Sequence, residues 1–269
     1  MTHGSLFSGI GGFDLAAEWV GWDNLFHCEW NPFCQKILKY YWPNATSYGD
    51  ITKTDFTIWR GKIDVLSGGF PCQPYSQAGK RLGKEDDRHL WPEMLRAIRE
   101  IQPRWVIGEN VHGLVNWSGG LVFNEVQTEM EAEGYEVFPY VLPACGIGAI
   151  HRRERVWFVA HNDSFRFNGC ECKYEINKSE GWEYALNDIE QVYNVTNTNN
   201  SRREKCRTEW ISPIQFTQNN RFASEPGICR GDDGFPYRVD RLKSLGNAIV
   251  PHVALQLFKT IEQFEKLKQ

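Results

Sequence analysis

The chain has 269 residues, of which 41% are hydrophobic and 24% are charged, as in an ordinary folded protein. This length suits one large α/β domain with a small appendage, or two modest domains. No apolar run approaches the roughly 20 residues that span a bilayer, and no basic segment precedes an apolar stretch at the N-terminus. We therefore expect a cytoplasmic protein that is neither embedded in a membrane nor secreted.

The net charge of −4 and the isoelectric point of about 6.0 argue mildly against a nucleic-acid partner. The basic residues are clustered, however, at 80–84, 151–155 and 202–207. Phosphate binding depends on a local basic face rather than on net charge. The clusters are therefore compatible with DNA binding, although charge runs are more often only solvated surface.

The eight cysteines are typical of a reducing compartment, because Cys28, Cys34, Cys72 and Cys145 are widely spaced and do not indicate a disulfide framework. Four of them could in principle bind zinc, namely Cys170, Cys172, Cys206 and Cys229. Their spacing fits no familiar zinc pattern. We predict free structural thiols and no metal site.

Short apolar runs alternate with helical patterns over the first 160 residues. In chain order, the patterns predict strands at 4–7, 25–29, 63–67, 104–109, 136–142 and 155–161, and helices at 13–20, 32–41, 93–101 and 123–133. This alternation predicts an α/β fold with a doubly wound, mostly parallel sheet and helices on both faces.

The composition changes near Asn162. Residues 162–238 are polar with little periodicity, and the stretch 194–200 is typical of a loop or linker. From Val239 the pattern becomes helical again, with an apolar stripe formed by Ala254, Leu257, Phe258 and Ile261. We therefore divide the chain into a first domain at 1–161, a small irregular region at 162–238, and a C-terminal helix at 239–269 that returns to the first domain.

Three features in the first 51 residues indicate an adenosine site. A glycine-rich loop, Phe7-Ser8-Gly9-Ile10-Gly11-Gly12, lies between a strand and a helix, where free N–H groups can meet a ligand. Glu29 ends the second strand, where an acid can bind ribose hydroxyls, and Trp30 could stack on adenine. Asp50 could accept from an adenine amino group. The alternatives are a tight turn, a core tryptophan and a turn aspartate, and the ligand could be a nicotinamide cofactor or a methyl donor.

Three further segments could carry chemistry. Cys72 lies in Gly68-Gly69-Phe70-Pro71-Cys72-Gln73-Pro74, a shaped loop after a strand, where a cysteine can act as a nucleophile. Its alternative is a small buried side chain. Glu109-Asn110-Val111 ends another strand, and Arg153-Glu154-Arg155 leads into the last strand. Their alternatives are a solvated strand end and a surface charge run.

In this order, these segments resemble the motifs of the DNA cytosine-C5 methyltransferase family. The resemblance covers residues 4–160 and 239–258, and it includes Cys28-Glu29-Trp30, Gly49-Asp50-Ile51, Arg152-Arg153-Glu154-Arg155 and Gly246-Asn247-Ala248-Ile249-Val250-Pro251. Two features depart from the family pattern. Ile150 and His151 stand where Pro and Gln are common, and the region before Gly246 is short for a target-recognition domain.

The resemblance implies a Rossmann-like fold, S-adenosyl-L-methionine as methyl donor and S-adenosyl-L-homocysteine as product. It assigns attack on cytosine C6 to Cys72, a proton or hydrogen bond at N3 to Glu109, and the cytosine O2 to Arg155. Asn110 would brace the loop, Gln73 would adjoin the nucleophile, and Arg153 would lie on the same side of an extended chain as Arg155. The donor would be bound by Phe7, Gly9, Gly11, Gly12, Glu29, Trp30, Asp50, Ile51, Pro71, Asn247 and Ala248.

The implied substrate is double-stranded DNA with the target cytosine flipped out. The DNA contacts would come from a lid at 73–90 and from the recognition region, through Ser76, Lys80, Arg81, Lys84, Arg88, Arg202 and Arg203. We expect a monomer, on the bacterial nucleoid or in a virus-infected bacterial cell, with a cognate restriction endonuclease as a possible partner. The open alternatives are a tRNA cytosine methyltransferase, a catalytically silent DNA-binding regulator and a nicotinamide dehydrogenase.

Overall fold

The computed structural model describes residues 1–71, 90–162 and 238–267. Its strands are β1 (Thr2–Leu6), β2 (Asp23–Cys28), β3 (Thr46–Tyr48), β4 (Val65–Gly68), β5 (Trp105–Val111), β6 (Glu136–Pro143) and β7 (Glu154–His161). Its helices are α1 (Gly12–Trp19), α2 (Pro32–Tyr41), α3 (Trp91–Ile101), α4 (Leu121–Ala132), α5 (Arg238–Asn247) and α6 (Pro251–Leu267). Short 3-10 turns lie at Ile51–Lys53, Thr57–Trp59, His112–Gly120 and Ala144–Ile147.

The strands form one seven-stranded sheet in the order β3-β2-β1-β4-β5-β7-β6. β7 runs antiparallel to both of its neighbours, and the other strands run in one direction. The chain turns outward in opposite directions from the neighbouring strands β1 and β4, where Leu6 pairs with Gly68. This is the switch point at which open α/β sheets bind ligands, beyond the carboxyl ends of the strands. The predicted fold class is confirmed.

The sheet separates two hydrophobic cores, because successive strand residues point to opposite faces. Leu66, Val106 and Phe158 face the core formed with α3 and α4, whereas Val65 and Trp157 face the core formed with α1 and α6. The apolar stripe of α6 is buried in the second core. The C-terminal segment therefore packs directly on the first domain.

The structure differs from the sequence prediction at two places in the fold. β3 was not predicted, since three residues are too few to show an alternating pattern. The helical region from residue 239 consists of two helices rather than one, separated by residues 248–250. Pro251 explains the break, because the residue before a proline disfavours the helical conformation.

The described residues contain no helix long and apolar enough to cross a membrane. Three of the eight cysteines lie within them, and none of these three forms a disulfide. Burial raises the pKa of the Cys28 thiol to about 12, with smaller contributions from the charges of Glu29 and Asp50. Over the same residues, no cluster of histidine, cysteine and acidic side chains could hold a metal ion.

The end of α6 is tied to the sheet through Glu265. Its carboxylate accepts hydrogen bonds from Arg104 Nη1 at 2.5 Å and from Trp105 Nε1 at 2.9 Å. We expect Glu265→Ala to lower the free energy of unfolding by about 1–3 kcal/mol, because it leaves a buried indole N–H unpaired. Chemical denaturation would measure this loss. Glu262→Ala is the control, since Glu262 makes only an exposed pair with Lys266, and an equal loss in both variants would contradict the expectation.

Candidate functional site

The predicted motifs converge at one edge of the sheet. The loop 7–11 follows β1, the segment 69–71 follows β4, and Glu109 and Asn110 lie near the end of β5. Because β7 is antiparallel to β5, its first residues lie at this same edge, and Arg155 pairs with Val111. The topology therefore places all of these segments beside the switch point.

Glu109 is the central acidic group at this edge, and it is only 8% exposed. Its Oε1 atom lies 3.1 Å from Nε of Arg155. Burial raises the pKa of Glu109 to about 7, although the charges of Arg155 and Arg153 oppose this shift. At neutral pH the carboxyl group is therefore partly protonated, which is the state needed to donate a proton or a hydrogen bond.

Asn110 joins the end of β5 to the loop after β4. Its Nδ2 atom donates to the carbonyl of Phe70 at 3.2 Å, and its Oδ1 atom accepts from the N–H of Val111 at 2.8 Å. The side chain is buried, so both contacts are shielded from water. Phe70 precedes Cys72 by two residues, and Asn110 therefore holds the base of the loop that carries the predicted nucleophile.

The prediction that Arg153 lies on an extended chain beside Arg155 is wrong. Arg153 has a φ of +36°, and β7 begins only at Glu154. Its Nη2 atom donates to the carbonyls of Gly246 at 3.1 Å and Ala248 at 2.6 Å. Gly246 lies in the last turn of α5, where the carbonyls have no partner within the helix, and Ala248 directly follows the helix. Arg153 thus links the 246–248 segment to the edge that holds Glu109.

The glycine loop makes three bends with left-handed backbone, at Phe7, Gly9 and Gly11. A Cβ atom at Gly11 would lie 2.3 Å from the Trp42 ring, and one at Gly12 would lie 2.6 Å from Ile249 Cγ1. A Cβ atom at Gly9 would meet nothing within 4 Å. Gly11 and Gly12 therefore permit close packing, whereas Gly9 faces open space that a ligand could enter.

Glu29 fastens this loop to the start of α2. Its Oε2 atom accepts from the N–H of Gly9 at 2.8 Å, and its Oε1 atom accepts from the N–H of Asn31 at 2.7 Å. Each carboxylate oxygen has a second acceptor position, so both could also bind ribose hydroxyls. The neighbouring Trp30 side chain is 75% exposed, which leaves its ring available for stacking.

Asp50 caps the 3-10 turn Ile51–Lys53. Its Oδ1 atom accepts from the N–H of Thr52 at 3.0 Å and from its hydroxyl at 2.7 Å, while Oδ2 lies 3.2 Å from Lys53. The hydrogen bonds from Thr52 lower the pKa of Asp50. Ile51 is buried in the first core, so its side chain does not face the open edge.

The remaining predicted residues fall into two groups. Asn247 is exposed at the end of α5, whereas Ala248 and Pro71 are half-buried. The others lie outside the described residues, namely Cys72, Gln73, Ser76, Lys80, Arg81, Lys84, Arg88, Arg202 and Arg203.

A buried carboxyl group beneath the glycine loop was not predicted. Asp14, in the first turn of α1, is fully buried, and the Ser5 hydroxyl lies 2.9 and 3.0 Å from its two oxygens. The Ser8 hydroxyl lies 2.6 Å from that of Ser5, which links Asp14 to the loop. The signal in the sequence was an acid beside Phe13 on a helix that otherwise turns small and apolar residues inward.

Burial raises the pKa of Asp14 from 3.8 to about 7. The folded state favours the protonated carboxyl of Asp14. The contribution of Asp14 to the free energy of unfolding is therefore greatest below pH 4 and is lost as the pH rises through 7. Across this window we expect wild type to lose up to about 4 kcal/mol relative to Asp14→Asn, which does not titrate. Thermal unfolding at pH 4 to 8 would measure the difference. Asp23→Asn, at an exposed position, is the control, and a difference that does not vary with pH would contradict the expectation.

The chain is similar to several known methyltransferases. M.HpaII, a Type II methyltransferase of Haemophilus parainfluenzae, is 31% identical over 253 residues, which are 93% of this chain and 66% of that protein. M.Eco47II of Escherichia coli, also a Type II methyltransferase, is 39% identical over 158 residues, which are 58% of this chain. The match covers only 38% of M.Eco47II, so the chain spans little more than a third of that relative's length.

A solved structure of an E. coli protein, described as a DNA modification methyltransferase encoded within a prophage, superposes with a TM-score of 0.52 and 25% identity. The superposition covers 61% of this chain and 47% of the E. coli chain. The family model for C-5 cytosine-specific DNA methylases matches residues 1–233. Because this match covers most of the chain, the chain belongs to the C-5 cytosine-specific DNA methylase family.

Proposed function

We propose that the chain is a DNA cytosine-C5 methyltransferase that moves a methyl group from S-adenosyl-L-methionine to carbon 5 of a cytosine flipped out of double-stranded DNA. The observation that carries the proposal is the pair formed by the buried Glu109 and the partly buried Arg155, which lies at the sheet edge where Asn110 holds the base of the Cys72 loop. The N3 atom of cytosine must be protonated or hydrogen-bonded during the reaction. A buried carboxyl group with a pKa near neutrality, beside a fixed guanidinium, suits this role.

The residues around the glycine loop fit a methyl donor that contains adenosine. Gly9 offers open space beside the backbone, Glu29 has two spare acceptor positions, and the Trp30 ring is exposed. Asp50 would accept from the adenine amino group, and the 247–248 segment would close the pocket from the side of α5. When bound, the donor supplies an electrophilic methyl group.

Different residues of this chain have different roles in the reaction with cytosine. Cys72 adds its thiolate to C6, which moves an electron pair into the ring, and Glu109 gives its proton to N3. Arg155 would hold the cytosine O2, while Asn110 and Arg153 fix the loop and the 246–248 segment around the base. Transfer of the methyl group to C5 leaves S-adenosyl-L-homocysteine as the product. The C5 proton then passes to water, the bond between C6 and Cys72 breaks to release the thiolate, and N3 returns its proton to Glu109.

Recognition of DNA is assigned to two segments. The lid at 73–90 would grip the backbone with its basic side chains, and residues 162–238 would read the target sequence. Lysine and arginine contacts to phosphates position the enzyme, whereas side-chain contacts to base edges specify the sequence. We further propose a monomer that acts in the cytoplasm, with a cognate restriction endonuclease as partner, in line with the Type II methyltransferases among its relatives.

Bisulfite sequencing of DNA from a methylation-deficient host that expresses the chain tests this proposal. We expect protected cytosines at one recurring sequence, and none in cells that carry the empty vector. Purified protein that methylates tRNA but not duplex DNA would overturn the proposal in favour of a tRNA enzyme.

A further inference from the structure

Arg96, in the middle of α3, contacts the turn that follows Asp50, a segment with no role yet assigned to its supporting residues. Its Nη2 atom donates to the carbonyl of Ile51 at 2.6 Å, and its Nη1 atom donates to that of Thr54 at 3.1 Å. Both carbonyls belong to the turn that Asp50 caps. The guanidinium thus binds the backbone of the turn rather than the side chains of its exposed surface.

Two acids on the same helix fix the orientation of this guanidinium. Glu93 accepts from Nε at 2.9 Å, and Glu100 accepts from Nη1 at 2.6 Å. Glu100 also accepts from the N–H of Phe56 at 2.9 Å, and the guanidinium lies 5.9 Å from the centre of the Phe56 ring. The segment from Ile51 to Phe56 is therefore attached to α3 at four points.

The turn needs this attachment because the sheet gives it little support. It follows β3, a three-residue edge strand that pairs with β2 alone. Within the turn, the Thr54 hydroxyl donates to the carbonyl of Asp50 at 2.7 Å, so a shift at Thr54 would move Asp50. Arg96 thus fixes the position of Asp50 through the backbone of the turn.

We propose that Arg96 is a positioning residue for the methyl donor, which holds the turn 50–54 so that Asp50 meets the amino group of adenine. This inference rests on the proposed function, because it requires the adenosine part of the donor to lie at this edge. Arg96 does not contact Glu109, Arg155 or the Phe70 carbonyl among the described contacts. It should therefore affect donor binding and leave the chemical step unchanged.

The test compares two ligands by calorimetry: S-adenosyl-L-methionine and its analogue with hydrogen in place of the adenine 6-amino group. For Arg96→Met, we expect the Kd of the donor to rise about tenfold, roughly the value of one hydrogen bond to a charged group, while the Kd of the analogue stays near that of wild type. Arg96→Lys should lose affinity in the same selective way, because an ammonium group cannot hold both carbonyls in a fork. It also retains the charge between Glu93 and Glu100, which protects the fold.

Arg99→Met is the matched control, since Arg99 lies on the same helix, is 52% exposed and pairs with Glu133 instead. In kinetics, the Arg96 variants should raise the KM for the donor and keep the kcat at saturating donor. An unchanged donor Kd, or an equal loss for both ligands, would overturn the role of Arg96. Wild-type protein that fails to bind the donor would overturn the proposed function itself, and this inference with it.

Discussion

Cys72→Ser is expected to abolish methylation while donor binding stays nearly unchanged. A serine hydroxyl is far less acidic than a thiol, so it supplies almost no anion to attack C6 at neutral pH. The Cys72 loop follows β4, whereas the donor residues Gly9, Glu29 and Asp50 follow β1, β2 and β3. The substitution should therefore remove the chemical step without disturbing the pocket.

A trapped adduct would measure this directly. Duplex DNA with 5-fluorocytosine at the target lacks the proton whose loss releases the enzyme, so wild type should remain covalently bound through Cys72. Cys145→Ser is the control, since Cys145 lies in the turn Ala144–Ile147 at the same sheet edge. Full activity in Cys72→Ser, or an adduct mapped to another cysteine, would exclude Cys72 as the nucleophile.

Glu109→Gln is expected to lower the methylation rate by about 10²–10⁴-fold, the usual contribution of a positioned general acid. Glutamine keeps the shape of the side chain and can still hydrogen-bond to N3, but it cannot deliver a proton. Glu154→Gln is the control, because Glu154 is the neighbouring acid on β7 and pairs with Arg152. Its rate should stay close to that of wild type.

The pH dependence gives a second test of Glu109. Its pKa of about 7 means that the reactive, protonated form declines as the pH rises through neutrality. The ratio of wild-type to Glu109→Gln rates should therefore fall between pH 6 and 8. The ratio cancels the titration of Cys72, which both proteins share. A ratio that stays constant over this range would mean that Glu109 does not act as an acid.

Local periodicity was enough to predict most of the fold. Ten predicted strands and helices lie within two residues of the observed ones, because each buries one face and its spacing repeats within a few residues. The order of the motifs was also sufficient to place the chain in its family. The roles assigned to individual site residues remain predictions, which the experiments above test.

Tertiary structure decided what depends on contacts between distant segments. Glu109 and Arg155 meet because β7 runs antiparallel to β5, a direction that no local pattern reveals. Arg153 has a left-handed rather than an extended backbone, and its side chain binds carbonyls at the end of α5 and just after it. Asp14 and Arg96 could not be assigned from spacing alone, since an acid or an arginine on a helix is ordinarily solvated. Asp14 matters because it is buried under the glycine loop, and Arg96 matters because it binds the turn that follows Asp50.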